Sequence, residues 1–438
     1  MLEELGKRAQ QAVELAQRAG AQDAWASASR GRSVEYSWRD GALEKVQENT
    51  SRGLSISLYV DDRYSSHSTT DLRPEALERF IGEAVALTRA LQPDPFRKIP
   101  DPSLFEGRPT DDLRLVDESI DGITVEQRLA WLKELDAGLH SDARVISGTS
   151  GVQDAHSMGA SASSNGFFGT SESTSVWYGG EVTIQDEGDA RPEGWMWAGA
   201  RGTAGLISPQ EIAATALSDA LKRLGTQKGP SRKGLMIVDP RAAQNLVSKL
   251  LAPASGSSVQ QSRSFWVDRL GKPAVSEKLV ITDEPLLPGG WASRHFDGEG
   301  ISAKPMDVIR GGALQNYYLS TYYARKLELA PTTGGASNRV VHPGSRDLAA
   351  ILADAGDAIY VTSWLGGNSD ATTGDFSLGM RGHLVHNGEI GGPIGEMNVT
   401  GNLLTLFSQL VEVGSDPWPY ASLLVPTLVF DGVEFSGA

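Results

Sequence analysis

The chain has 438 residues, of which 40 are Lys or Arg and 55 are Asp or Glu, so its formal net charge is −15 at neutral pH. This length suggests about two to three domains, and a content of 40% hydrophobic and 22% charged residues is typical of a soluble globular protein. The acidic balance argues against a surface that follows nucleic-acid phosphates. The absence of Cys excludes disulfides, thiolate metal sites and cysteine nucleophiles.

The first ninety residues alternate between helix and strand patterns. An apolar stripe predicts an amphipathic helix from Leu2 that ends at Gly20, and a second helix is predicted after Pro74 with its stripe running to Leu91. Between them, apolar and polar residues alternate from Leu54 to Val60, which predicts a half-buried strand. The N-terminus lacks the apolar core of a signal peptide, and no stretch is long enough to span a membrane. We therefore expect a cytoplasmic protein without membrane contact.

Three local signals place the elements of the central region. Thr124 and Gln127 match a capping box and predict a helix start. Asn165-Gly166 predicts the turn between two paired strands, although the surrounding segment is rich in Ser and Gly. Ser208, followed by Pro209 and Glu211, predicts another helix, which ends near Gly225.

A polar segment rich in Gly and Pro, Gly225 to Gly234, predicts a domain boundary. Residues 1–228 are expected to form an α/β domain in which a sheet packs with amphipathic helices. Residues 229–438 open with a strand and a helix capped by Asp239-Pro240, and continue with short, turn-punctuated strand patterns. The predicted fold class is therefore α+β, with a C-terminal β-rich domain that is curved or barrel-like.

No motif of a known chemistry stands out from the residues alone. There is no serine-hydrolase elbow and no Walker A motif. His383 and His386 lie just before an Asn387-Gly388 hairpin turn, and at that spacing they project to opposite faces of a strand, one exposed and one half-buried. Asp297 and Glu299 are interpreted as a solvated turn. A tyrosine cluster either lines a peptide groove or packs on a strand face; its members are Tyr317, Tyr318, Tyr322 and Tyr323.

Several segments together resemble a known family. Their order and spacing are similar to those of the TldD/PmbA family, whose members are also called TldE or modulator of DNA gyrase proteins. The central segments are Phe296-Asp297-Gly298-Glu299-Gly300-Ile301, Gly311-Gly312-Ala313-Leu314, Tyr323-Ala324-Arg325-Lys326 and Thr333-Gly334-Gly335-Ala336. The C-terminal segments are Phe376-Ser377-Leu378-Gly379, Asn387-Gly388-Glu389 and Pro426-Thr427-Leu428.

The resemblance implies a two-subunit metalloprotease that takes unfolded peptides into an internal chamber and helps to mature ribosomally made peptides. In that family the TldD subunit carries His-Glu-x-x-x-His on a helix and a Cys near the C-terminus, and the PmbA/TldE subunit lacks them. The corresponding helix of this chain, expected from Asn245 to Ser258, has neither His nor Glu. Aligned on Gly256, it places Ala252, Pro253 and Ser257 at the first His, the Glu and the second His, and Pro253 would break the helix.

The chain is therefore expected to be a PmbA/TldE-type subunit that holds no metal and has no catalytic residues, with zinc in its partner. The expected partners are a TldD-like catalytic subunit in a heterodimer, or a second copy in a homodimer, and an unfolded peptide, but no nucleic acid. The residues expected to contact peptide are Ser257, Ser258, Arg263, Tyr318 and Tyr322. Two alternatives stay open: a stand-alone homodimeric peptide-binding protein, and a regulator linked to DNA gyrase that does not bind DNA directly.

Overall fold

The computed structural model describes residues 1–437, which form two compact units. The first unit comprises Met1–Thr183, Gly194–Leu217 and Arg294–Ala303, and the second comprises the rest of the described chain. No helix in this described part is long and apolar enough to cross a membrane. The boundary predicted between residues 228 and 229 stays a prediction.

The N-terminal part of the chain contains one large sheet and four helices. In chain order the elements are α1 (Leu2–Arg18), β1 (Asp23–Arg39), β2 (Ala42–Val60), β3 (Arg63–Thr69), α2 (Pro74–Arg89), α3 (Val125–Leu139), β4 (Val145–Ser163), β5 (Phe168–Ile184), β6 (Glu193–Ala200) and α4 (Pro209–Leu221). The sheet has six strands in the order β3-β2-β1-β4-β5-β6. The helices bury their apolar faces on it, since residues of α1, α2, β1, β2 and β4 share one core.

The C-terminal part of the chain is richer in short strands. Its elements are β7 (Gln227–Lys228), β8 (Arg232–Val238), α5 (Pro240–Leu251), α6 (Gly256–Gln260), β9 (Ile281–Asp283), β10 (Met306–Arg310), β11 (Ala313–Leu314), α7 (Thr321–Leu327), β12 (Arg339–Val341), α8 (Leu348–Ala353), β13 (Ala358–Ser369), β14 (Asp375–His386), β15 (Glu389–Asn402), α9 (Leu403–Ser408), β16 (Leu410–Val413), β17 (Leu423–Leu424) and β18 (Leu428–Ser436).

Five of these strands close into a barrel. The sheet order β16-β18-β8-β13-β14-β15-β7 is joined into a ring by an additional pairing of β18 with β15. β8 and β13 pair in parallel, and the other neighbours in the ring are antiparallel. A second sheet of five strands has the order β11-β10-β9-β12-β17. The prediction of a curved or barrel-like C-terminal domain beside an N-terminal sheet with helices is confirmed.

The local signals at the helix starts are confirmed by hydrogen bonds. The Thr124 hydroxyl accepts from the Gln127 N–H at 3.2 Å, and Ser208 accepts from the Glu211 N–H at 3.1 Å. Asp239 caps α5 by accepting from the Arg241 N–H at 2.9 Å. Short polar side chains before an apolar helical pattern therefore located these three helices correctly.

The two predicted turns are also confirmed. Asn165 and Gly166 lie between β4 and β5, and Gly166 has a φ of 98°. Asn387 and Gly388 connect β14 directly to β15, with φ values of 48° and 85° that suit a two-residue hairpin turn.

Three expectations are corrected. α2 ends at Arg89, so Leu91 lies beyond its stripe and is exposed. Asp297 is buried rather than solvated, because its carboxylate accepts the backbone N–H groups of Glu299 and Ile301 at 2.9 and 3.0 Å. The tyrosine cluster does not share a strand face: Tyr317 and Tyr318 are buried in the core, whereas Tyr322 and Tyr323 lie on α7.

Candidate functional site

The segment after α5 turns where a ligand-bearing helix was expected. α5 ends at Leu251, a 3-10 turn follows from Ala252 to Ala254, and α6 begins at Gly256. Pro253 has no N–H to continue the helical bonding, and Ser255 is extended with a ψ of 144°. The expected continuous helix from Asn245 to Ser258 is therefore wrong, and the helix break expected at Pro253 is present.

The residues at this turn do not fit a zinc ion. Ala252 presents an exposed methyl group and Pro253 a buried ring, while the Ser257 hydroxyl lies 3.3 Å from that of Ser255. None of them supplies the imidazole, carboxylate or thiolate that zinc prefers. In residues 1–437 no group of three or more His, Cys, Asp or Glu side chains is arranged to hold a metal ion.

Three of the residues predicted to contact peptide lie close together. Ser257 and Ser258 are half-buried on α6. Two backbone hydrogen bonds connect the start of this helix to Tyr318: the Gly256 N–H donates to the Tyr318 carbonyl at 2.8 Å, and the Tyr318 N–H donates to the Ala254 carbonyl at 2.9 Å. The Tyr318 ring is buried, and its hydroxyl donates to Asp283 at 3.0 Å. The main chain of Tyr318 thus positions α6, and its side chain joins the core.

The other two predicted contact residues have different surroundings. Tyr322 is half-buried on α7, where its ring lies 5.0 Å from that of Tyr323 and the Lys326 ammonium lies 4.7 Å above it. Arg263 is exposed and lines an open groove of about 670 Å³ with residues 368–372 and 375–377, and none of the other four predicted residues lines that groove. A peptide-binding role for these five residues stays a prediction.

A separate cavity lies in the second unit, where β8 leads into α5. Its volume is about 470 Å³, within the range of small-ligand sites. Both charged and apolar side chains line it: Asp219, Lys222, Arg223, Asp239, Arg241, Leu348, Tyr360, Thr362, His383, Ile390, Gly391 and Pro393. The sequence predicted the Asp239 cap but did not indicate this cavity, because its lining comes from six separated segments.

One side of the cavity is a connected polar network. Asp239, already bonded to the Arg241 main chain, accepts from the Tyr360 hydroxyl at 2.7 Å. The Arg241 guanidinium lies 3.3 Å from Asp239 and 2.8 Å from Asp219. Burial opposes the charge on Arg241, but the two carboxylates outweigh it and raise its pKa. Burial and the neighbouring Asp239 raise the pKa of the Tyr360 hydroxyl, which keeps the phenol neutral.

The other side of the cavity holds two groups whose charge is disfavoured. Arg223 is half-buried and donates to the Glu193 carbonyl at 2.6 Å, and burial lowers its pKa. His383 is 6% exposed, and burial, aided by the charges of Lys222 and Arg223, lowers its pKa so that the ring stays neutral. The expected contrast between His383 and the exposed His386 is confirmed, with His383 more deeply buried than expected.

Comparison with protein-family models identifies the family of this chain. Models described as PmbA/TldA metallopeptidase domain 1, central domain and C-terminal domain match residues 26–88, 118–224 and 231–437. The chain belongs to the PmbA/TldD family. This membership confirms the resemblance inferred from the sequence.

Relatives from this family are similar along nearly the whole chain. Metalloprotease PmbA of Escherichia coli O157:H7 is 30% identical over 393 residues, which cover 89% of this chain and 86% of that protein. A solved structure from Bacteroides thetaiotaomicron, named as a proposed modulator of DNA gyrase, has a TM-score of 0.96 at 36% identity and covers 99% of this chain and 98% of its own. TldE from Thermococcus kodakarensis shares the fold, with a TM-score of 0.87 at 17% identity over 98% of this chain and all of its own.

Proposed function

We propose that this chain is the non-catalytic, metal-free subunit of a TldD/TldE-type zinc metalloprotease complex. In that role it binds unfolded peptides, including ribosomally made precursors, and helps the complex to process them. The observation that carries the proposal is the chemistry at Ala252, Pro253 and Ser257, where the family resemblance places two zinc-binding His and a Glu base. A methyl group, a pyrrolidine ring and a serine hydroxyl cannot replace that set.

The backbone supports the same conclusion independently of the side chains. The His-Glu-x-x-x-His motif that the resemblance implies lies on one helix, which fixes the positions of its two imidazoles relative to each other. Here α5 ends at Leu251, and the next four residues form a 3-10 turn and one extended residue before α6 begins at Gly256. Restoring the two His alone would therefore not restore the ligand geometry while Pro253 interrupts the helix.

The proposal assigns the missing chemistry to a partner. The zinc ion and the catalytic residues belong to a TldD-like subunit, which pairs with this chain in the cytoplasm as a heterodimer. This chain contributes peptide contacts, for which Ser257, Ser258, Arg263, Tyr318 and Tyr322 are the predicted residues. Extended peptides are held through main-chain hydrogen bonds, which accept many sequences.

Metal analysis of the purified chain, produced in cells that lack a TldD-like subunit, tests the assignment. We expect substoichiometric zinc and no cleavage of an unfolded peptide substrate, in parallel with a TldD-like subunit that binds zinc as the positive control. One zinc ion per chain together with peptidase activity would contradict the proposal.

A further inference from the structure

Two cationic side chains of the cavity in the second unit have no carboxylate partner. In the described part of the chain, Arg223 has no carboxylate oxygen within 4.0 Å, and Lys222 makes no side-chain hydrogen bond or ion pair. Asp219 and Glu193 offset only part of the burial of the Arg223 guanidinium, whose pKa stays lowered, so an anion in the cavity would relieve the remaining cost. The cavity is lined by three cationic and two carboxylate side chains, so one positive charge is left over.

His383 adds a hydrogen-bond acceptor to the same cavity. Its Nδ1 lies 3.4 Å from the Gly391 carbonyl oxygen, which can only accept, so Nδ1 carries the proton of the neutral ring. The Nε2 atom is then an acceptor, and it has no hydrogen-bond partner among residues 1–437. A ligand with an N–H group close to its anionic end matches this arrangement.

The remaining wall of the cavity is apolar. Leu348, Ile390 and Pro393 line it beside the Tyr360 ring, and Ile390 is 50% exposed. Covering such a surface with an apolar side chain is favourable by roughly 25 cal/mol per Å² of area removed from water. The cavity therefore combines an anion site, an acceptor for N–H and an apolar surface.

We propose that this cavity binds the C-terminal residue of a peptide. The free α-carboxylate lies against Lys222 and Arg223, the N–H of the last residue donates to His383 Nε2, and an apolar last side chain packs on Leu348, Ile390 and Pro393. This proposal rests on the proposed function, because it gives the peptide-binding subunit a preference for chain ends. A planar carboxylate suits a guanidinium fork, and one leftover positive charge matches a monoanion better than a phosphate dianion.

Binding of two matched peptides to the purified full-length chain tests the proposal. Both are short, unfolded, fluorescently labelled at the N-terminus and end in Leu, and they differ only in a free carboxylate or an amide at the C-terminus. Because charge-assisted hydrogen bonds contribute about 1.5–3 kcal/mol, fluorescence anisotropy should give the free acid an affinity about tenfold or more above that of the amide.

A conservative variant and its control locate the site. Lys222→Gln removes one exposed charge and no existing ion pair, so the fold is preserved, and the affinity for the acid should fall about threefold with no change for the amide. Lys272→Gln removes an equally exposed charge of the second unit outside the cavity and should change neither affinity. Equal effects of the two variants would contradict the assignment to this cavity.

Competition separates a peptide end from other anions. N-acetyl-leucine carries the carboxylate, the N–H and the side chain of a C-terminal residue and should displace the acid peptide, whereas inorganic phosphate at equal concentration should not. Displacement by phosphate alone would overturn the proposal in favour of a phosphate site. Equal affinity for acid and amide peptides would also overturn it while leaving a peptide-binding subunit intact, and binding of neither peptide would contradict both proposals.

Discussion

His383 is a base that the fold keeps uncharged. Burial lowers its pKa from the ordinary value of 6.5, and the charges of Lys222 and Arg223 add to this shift, while the hydrogen bond to the Gly391 carbonyl and the charge of Asp219 oppose it. As the pH falls below about 6.5, the unfolded chain gains a proton at this position before the folded chain does, so folding stability is lost. His383 therefore makes the second unit sensitive to mild acid.

The variant His383→Gln should remove this sensitivity. We expect the midpoint temperature of thermal unfolding to fall less steeply between pH 7 and about pH 5 in the variant than in the parent chain. At about pH 8 the histidine is neutral in both the folded and the unfolded chain, so the difference between the two proteins there measures the substitution alone. Parallel pH profiles would show that His383 does not carry this effect.

A substitution at Tyr360 tests how much the polar network around Asp239 contributes to stability. The Tyr360→Phe variant loses the hydrogen bond to Asp239 but keeps the ring, so the free energy of unfolding in urea should fall by about 1 kcal/mol. Tyr323→Phe is the matched control, since the Tyr323 hydroxyl bonds to no residue of the described chain. If the two variants lost the same stability, the network around Asp239 would contribute nothing specific.

At this scale the sequence predicts contacts between neighbours and misses contacts between distant segments. The caps at Thr124, Ser208 and Asp239 were predictable because donor and acceptor are two or three residues apart. The bond from Tyr360 to Asp239 joins residues 121 positions apart, and nothing in either local pattern indicates it. Asp297 is an exception: it was misjudged as solvated, although its carboxylate accepts from the backbone N–H groups of Glu299 and Ile301 in its own turn.

Among the elements, the β14–β15 hairpin shows how one glycine fixes a turn. Gly388 has a φ of 85°, and a Cβ atom there would lie 2.6 Å from the carbonyl oxygen of Ala353 at the end of α8. Both the backbone conformation and the close approach therefore exclude an ordinary side chain.

Replacing this turn glycine should cost more stability than replacing a glycine in the strand β15 that follows it. Gly388→Ala is expected to lower the free energy of unfolding in urea by about 2 kcal/mol, from the left-handed backbone and the clash together. Gly392→Ala, where a Cβ atom meets nothing within 4 Å, should change it by no more than about 1 kcal/mol. Comparable losses would mean that the turn is not constrained by Ala353.

Element types were predicted better than element ends. Alternating burial along β2 follows directly from its alternating sequence between Leu54 and Val60. Pro253 predicts the position of the break after α5. The residues around it do not indicate that α5 already ends at Leu251. Closure of the barrel depends on the pairing of β18 with β15, which joins residues 398–399 to 435–436. The sequence of neither strand alone predicts this pairing.

For the whole molecule, the net charge of −15 argues against nucleic-acid binding, and the lack of Cys excludes thiolate metal sites and cysteine nucleophiles. Family membership identifies the chain as a relative of the PmbA/TldD metallopeptidases. The zero Cys count removes a ligand that a TldD-type subunit would need, and the turn at Pro253 removes the helix that would present the others. The cavity between Arg223 and His383 adds a feature that family membership does not suggest. Together these observations are the grounds on which we propose a subunit that binds rather than cuts.

Reconstitution with a TldD-like subunit from the same genome tests this account most directly. The two chains are co-expressed and purified, and cleavage of an unfolded peptide is measured for each chain alone and for the mixture, with zinc quantified in each. The account predicts that the chains co-purify, that zinc follows the TldD-like subunit, and that peptide cleavage is fastest when both are present. Cleavage by this chain alone, with zinc bound to it, would contradict the account.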